Sequence, residues 1–302
     1  MLLLTGATGL VGRMLVRRLT AAGTPVRCLV RDPKRLGSDR VRVQIALGDL
    51  ADPQSFRNAM RGVEVVVHLA ATVRDQPQGS IEELNGVATW RMVEAATRAQ
   101  VRRFLFISAL GASTHNRTRF LRSKAVAERA VREGPVSSVI LAPSLIYAPG
   151  DAFLTLLARL SLLPAVMPMS GHGRANYQPI WAEDVADCVM AALDPERASA
   201  ASPNGEPARQ RYELAGPETL SHEAIVSLAL RSLGRRRALL HVPTPVVSRA
   251  LRTLESIAGS RSFATWDQAE LLEVPMTSRS GTADAERLGV SPLRMAAVLG
   301  VR

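Results

Sequence analysis

The chain has 302 residues, a formal net charge of +11, 47% hydrophobic and 22% charged side chains. These values exclude extended disorder and leave room for one large domain or two unequal ones with a full core. Only two cysteines occur, Cys28 and Cys188, far apart and in no CxxC pair. No disulfide scaffold and no metal site is therefore expected.

Residues 2–5 form a short apolar run that reads as a strand. Leu10–Ala21 carries apolar residues at 10, 11, 14, 15 and 19, a helical stripe. Strands are expected at 25–30, 42–47 and 63–69. Between the last two, 53–60 reads as a helix, with Asp52 as N-cap and Pro53 in the first turn. A long helix is expected over 81–100, a strand over 103–108, a helix over 119–131 and a strand over 138–141. Strands that alternate with helices and lack a wet face predict a parallel sheet covered on both sides. The segment 153–169 is the most lipid-like, but Arg159, Pro164 and Pro168 interrupt it, and it is too short and broken to span a bilayer. It reads as a buried helix and loop; a lid over an apolar substrate or a membrane-face contact is the alternative. A helix over Ala182–Leu193, a polar loop at 196–210, a strand at 211–214 and several short helices follow. The expected fold is α/β: a Rossmann-type doubly wound parallel sheet over 1–150, and a smaller, interwoven C-terminal lobe over 151–302. Residues 182–193 and a strand near 176–181 are expected to pack back on the first domain.

Gly6, Gly9 and Gly12 stand between the first strand and the first helix. Glycines there let the backbone turn and approach a pyrophosphate, while the helix N-terminus offers free N–H groups. The spacing is GxxGxxG, and here the chain resembles the extended and atypical short-chain dehydrogenases/reductases, the epimerase/dehydratase-like superfamily. "TGATGLVG" resembles their cofactor loop, "GDLAD" at 48–52 the segment in which Asp49 holds the adenine amine, and "VVHLAA" at 66–71 the strand-four signature. Asn85, Ser108 in "FISALGA", "LAPSLIYAPGD" at 141–151 and "QPIWAEDVADCVMAAL" at 178–193 follow in the family's order. The resemblance implies a bound nicotinamide dinucleotide, with contacts from Thr5, Gly6, Thr8, Gly9, Leu10, Val11, Gly12, Arg31, Asp49, Leu50, Leu69, Ala70, Ala71, Ser108, Lys124, Pro143 and Tyr147. At the end of strand two an acid favours NAD and an arginine favours NADP. Here Arg31 comes first, then Asp32, with Lys34, Arg35 and Arg13 close by. The cations favour NADP(H) over NAD(H); an Arg31–Asp32 surface bridge is the competing reading.

Of 38 basic side chains only Lys34 and Lys124 are lysine. In the resembling family a tyrosine and a lysine stand four residues apart on one helix face. The lysine holds the nicotinamide ribose and lowers the tyrosine pKa for proton transfer. Lys124 fits that position, but four residues earlier stands Phe120, which has no proton to give. Ser108 and Lys124 are thus the catalytic candidates, with the tyrosine position filled by Phe120. Tyr147, His115 and Thr114 are the remaining proton donors. One atypical group lacks the tyrosine and shares segments resembling "GHGRANYQPIWAEDVA" at 171–186 and "TWDQAELL" at 265–272. That group includes the nucleotide-binding accessory subunit of respiratory complex I.

The first functional reading is thus an NAD(P)(H)-binding protein with a degenerate active site, a structural or redox-sensing module. The alternative is an active oxidoreductase on a hydrophobic carbonyl or quinone-like small molecule. A nucleic-acid-binding regulator on the same fold is a third, disfavoured because aromatics make up only 4% of the chain and no basic run interleaves with them. Residues 1–150 hold 22 basic and 11 acidic side chains, against 16 and 16 in the rest. The basic first half and 153–169 are therefore the expected docking surfaces for a protein or a membrane face. The first glycine comes too early for a signal peptide, so a cytoplasmic location, peripheral to a membrane, is expected.

Overall fold

The computed structural model describes residues 1–56, 58–162, 166–194, 209–258 and 265–301, the side chains of 254–258 excepted. The apolar runs of the first half become strands β1 (Leu2–Thr5), β2 (Val26–Val30), β3 (Gln44–Leu47), β4 (Val65–His68), β5 (Arg103–Ile107) and β6 (Ser137–Pro143). The intervening helices are α1 (Leu10–Ala21), α2 (Ala88–Arg98) and α3 (Arg119–Glu133). The later part supplies β7 (Ile146–Tyr147), α4 (Ala152–Leu160), β8 (Val166–Ser170), β9 (Asn176–Tyr177), β10 (Ile180–Trp181), α5 (Ala182–Leu193), β11 (Arg209–Leu214), β12 (Leu220–Ser221) and β13 (Ala238–Val242). Helices His222–Ser232, Thr244–Ala258 and Trp266–Leu271 and two short helical turns complete the lobe.

Seven strands form one parallel sheet in the order β11-β6-β5-β4-β1-β2-β3. Alternate residues of each strand face opposite layers. Leu4, Val67, Leu105 and Leu141 meet α1 and α5 on one side. Leu3, Val66, Phe104, Phe106 and Ile140 meet α2 and α3 on the other. This two-sided burial explains the continuous apolar runs. The chain leaves β1 toward β2 and β3, then returns to the other side of β1 with β4. The strand order reverses there, and the crevice at the carboxyl ends of β1 and β4 is where such sheets bind ligands.

Three elements differ from expectation. Residues 53–56 are turns and Asn58–Met60 is a 3₁₀ segment, in place of the α-helix expected over 53–60. The Ser55 hydroxyl bonds the carbonyls of Asp49 and Asp52, and the Asp52 carboxylate caps the Gln54 N–H. Such side-chain bonds compete with the helical ladder. The long helix at 81–98 contains a π turn, Glu83–Val87. The strand expected in the second lobe, β11, pairs parallel with β6 from Arg209↔Ser138 to Leu214↔Pro143 and so extends the main sheet. β10 pairs with β7, whereas β9 pairs with β12 inside the second lobe. The 153–169 segment is α4 followed by β8; the expected polar loop at 196–210 lies almost entirely outside the described residues.

Candidate functional site

The glycine loop is built by close backbone packing. Gly6 has φ of 75°, and a Cβ there would lie 2.6 Å from the Ala70 nitrogen. A Cβ on Gly12 would lie 2.1 Å from the Gly6 carbonyl oxygen, so α1 can start this close to β1 only without a side chain. Gly9 caps α1 in extended conformation with no side-chain hydrogen bond, which leaves the helix N-terminus to an outside acceptor. Leu10 and Val11 begin the helix behind it.

Thr5, Gly6, Thr8 and Gly9 share one cleft with Arg31, Asp49, Leu50, Leu69, Ala70 and Ala71. The expected adenosine-side residues are therefore brought together. A second depression beside it is lined by Thr8, Arg31, Asp32, Arg35 and Arg74, with Gln76, Pro77 and Gln78. The Asp32 carboxylate accepts the Lys34 N–H at 2.9 Å and does not pair with Arg31. Arg31 lies 4.0 Å from Asp49 and donates to Gln78. Arg13 instead donates to the Thr8 carbonyl and braces the loop. Arg74, on the segment after β4, is a cation that no sequence spacing pointed to.

At the other end of the crevice the Lys124 ammonium is buried and donates to the Ile107 carbonyl at 2.7 Å. Burial lowers its pKa to about 7. Its nitrogen lies 4.7 Å from the centre of the Phe106 ring and 5.9 Å from that of Phe120. Ser108 follows Ile107 directly, and its buried hydroxyl has no partner among the described residues. The Tyr147 hydroxyl is likewise buried and unpartnered. Pro143 ends β6, and its carbonyl takes the Leu110 N–H at 2.8 Å. Phe120 packs in an apolar cluster with Leu110, Leu121 and Tyr147. Thr114 and His115 sit on an exposed loop. A glycine cradle a side chain would fill, a free helix end, a buried ammonium and two orphaned buried hydroxyls, one of them on the residue after the carbonyl that Lys124 bonds, fit a dinucleotide lying along the crevice. Thr8, Gly9, Arg31 and Asp49 would hold its adenosine half; Ser108, Lys124 and Tyr147 would face its nicotinamide half.

Two buried networks hold this end rigid. Asn85, on the π turn, accepts the Thr72 N–H and donates to the Thr72 carbonyl, each at 2.8 Å, and donates to the Ser123 hydroxyl at 3.1 Å. The π turn aims Asn85 inward and ties the end of β4 to α3 one residue before Lys124. His68 bridges Thr5 Oγ1 at 2.7 Å and Thr89 Oγ1 at 3.0 Å. Full burial, with the Lys124 charge second, lowers its pKa to about 3. The folded value is depressed, so the stability held by neutral His68 is present above its ordinary 6.5 and is lost as pH falls from there toward 3. Unfolding free energies from urea titrations between pH 7 and pH 4.5 are expected to fall more steeply for the wild type than for His68→Gln, by about 1.4 kcal/mol per pH unit at most. Equal slopes would show that His68 is solvated.

Arg119, beside Phe120, fastens the rim. Its guanidinium bonds Asp75 at 3.0 Å and Glu82 at 2.7 Å and reaches Asp267 at 3.4 Å. It thereby joins the 72–82 segment, which carries Arg74 and Gln76, to the helix capped by Thr265 and Gln268.

Residues 6–196 match a family model described as NAD(P)H-binding. The chain belongs to the NAD(P)H-binding family. Within it, the fold and the relatives place this NAD(P)H-binding protein among the atypical short-chain dehydrogenases/reductases. The chain is 33% identical over 195 residues to the ceramide reductase of Caulobacter vibrioides, covering 63% of this chain and 61% of that protein. It is 27% identical over 252 residues to the mitochondrial NADH dehydrogenase (ubiquinone) 1 alpha subcomplex subunit 9 of Arabidopsis thaliana, covering 80% and 60%. The match thus spans about three fifths of the length of each of these two relatives. A nucleoside-diphosphate-sugar epimerase from Staphylococcus aureus superposes with a TM-score of 0.74 over 99% of both chains at 18% identity, a likeness of fold.

Proposed function

We propose that this NAD(P)H-binding protein retains its dinucleotide as a structural or redox-sensing group, with the tyrosine-dependent proton relay of its superfamily dismantled. The observation that carries this reading is the Phe120 side chain, packed in the apolar cluster while Lys124, one turn away, still reaches the Ile107 carbonyl beside Ser108. Holding the cofactor and moving a proton are thereby separated. Arg31, Arg35 and Arg74 around one depression favour NADP(H), since three guanidiniums suit a ribose 2′-phosphate better than a hydroxyl. The dinucleotide would supply hydride donor or acceptor chemistry when bound. The natural setting is cytoplasmic, at the periphery of a membrane.

A second reading is favoured by the orphaned Ser108 and Tyr147 hydroxyls and by the relative named for reduction of ceramide. Here the protein is a reductase of a hydrophobic carbonyl or quinone-like compound. Lys124, whose pKa burial places near 7, then donates the proton that tyrosine donates elsewhere.

Nucleotide released from the purified protein and identified by mass, followed by NADPH oxidation against hydrophobic aldehydes, ketones and quinones, separates the two. The first reading expects NADPH or NADP⁺ retained, negligible wild-type turnover, and a gain of roughly 10²-fold or more in Phe120→Tyr. Wild-type turnover that disappears in Lys124→Ala sinks it and establishes the second.

A further inference from the structure

We propose that the outer face of the β8–β13 ribbon, with the arginines around it, seats this protein on an anionic lipid bilayer. The two strands pair in parallel, Val166↔Ala238 and Pro168↔Leu240 among the partners. Their inward residues Met167, Met169 and Leu239 pack with Leu157, Val226 and Leu230. Their outward residues are Val166, Pro168, Ala238 and Leu240, of which Leu240 is 51% and Val166 39% exposed. A strand pair with one face on the core carries polar residues on its wet face; on this outer face the strand alternation places only Ser170, whose hydroxyl is buried, while His241 lies on the other face opposite Met169. The strand register makes these four residues one contiguous patch, unlike the scattered surface apolars that need no explanation.

Two further exposed apolar side chains flank the ribbon along the chain. Leu162 is 67% exposed just past α4, and Arg235 donates to the Ala158 carbonyl and Ser161 hydroxyl there, which holds the start of the ribbon against that helix end. Val246, 53% exposed, stands in the first turn of the helix that follows β13.

Charge selects the occupant. Residues 231–253 contain six arginines and no aspartate or glutamate. Arg231, Arg236, Arg249 and Arg252 are exposed, and Arg252 is fixed 4.2 Å from the centre of the Trp266 ring. The nearby acids have partners: Glu223, half-exposed, meets His241, and Glu273 bonds Thr244 and meets Arg117. An exposed apolar centre flanked by guanidiniums is the pattern of a protein lying on a headgroup layer. Among the described residues no helix is long and apolar enough to cross a membrane, so the contact is peripheral. The sequence alone placed docking on the basic first half and on 153–169; the ribbon's outer face shares Val166 and Pro168 with the second of these and nothing with the first.

Flotation of the full chain with vesicles tests this. Binding to phosphatidylcholine–phosphatidylglycerol vesicles is expected to exceed binding to pure phosphatidylcholine by about tenfold or more and to fall as salt rises. Leu240→Asp, and separately the exposed triple Arg231→Gln, Arg236→Gln and Arg249→Gln, should each lower it by about tenfold while nucleotide binding stays. The triple carries the test if the aspartate disturbs the short strand. No flotation, equal binding to both vesicle types, or binding unchanged in the triple would overturn the proposal. So would a wild-type dimer in sedimentation that Leu240→Asp dissolves, which would assign the face to a second copy of the chain.

Discussion

A Gly12→Ala variant is expected to lose dinucleotide binding by about 10²-fold or more and to lose about 2–4 kcal/mol of stability. The added Cβ would meet only backbone: the Gly6 carbonyl oxygen at 2.1 Å, and the Ala7 Cα and carbonyl carbon at 2.8 and 2.9 Å. No rotamer relieves a clash with backbone, so α1 must retreat from β1. That retreat moves the helix N-terminus away from the site where phosphate would bind. It also strains the contact between α1 and α5, where Arg18 pairs with Asp187 at 2.7 Å and with Glu183. Gly23→Ala is the matched control. Gly23 has φ of 68°, yet nothing lies within 4 Å of a Cβ there. It should cost about 1 kcal/mol and leave nucleotide affinity intact. Titration calorimetry with NADPH and urea unfolding read both effects. Binding by Gly12→Ala within threefold of wild type would show that the loop does not carry the phosphate.

Replacing Lys124 with methionine is expected to move stability and binding in opposite directions. The ammonium is buried, with one hydrogen bond, and burial lowers its pKa from 10.5 to about 7. Its folded value is therefore depressed. Between about pH 7 and pH 10.5 the unfolded chain binds the extra proton, so stability falls as pH drops through that window and levels off below it. Near neutral pH the buried amine costs on the order of a few kcal/mol. Methionine has similar length, no charge and a soft fit against Phe106, so the nucleotide-free protein should unfold at a higher temperature. The same change removes the donor beside Ser108, and NADPH affinity should fall by about tenfold or more. Thermal unfolding with and without NADPH checks both. A lower melting temperature in the nucleotide-free variant would show that Lys124 is structural; unchanged affinity would show that it does not touch the cofactor.

The parts of this protein that were legible in the sequence are those set by local chemistry. Apolar runs without a wet face gave the parallel strands, and glycine at 6, 9 and 12 gave the loop that follows the first of them. Lys124 among thirty-six arginines and Phe120 four residues before it are facts of spacing along one helix. Helical geometry alone places them on one face. Residues 53–56 are turns and not the start of a helix because Ser55 and Asp52 satisfy the backbone by other means, a contest that propensity does not settle.

What the sequence could not decide is what lies far along the chain but close in space. β11 joins the sheet beside β6 across a connection of more than sixty residues, and no periodicity within 209–214 names its partner. Arg74 faces the depression beside Arg31 and Arg35 only because β4 ends next to β1. His68 is neutral because Thr5 and Thr89 enclose it, and Lys124 is strained in its charge because the sheet and α3 close over it. Desolvation depends on every element packed around a group, so a pKa is a property of the tertiary structure. The residue types and their order therefore determined a dinucleotide fold with its phenol missing; only the packing decided which cations ring the cleft, which hydroxyls are left unpartnered and which apolar face stays open to solvent.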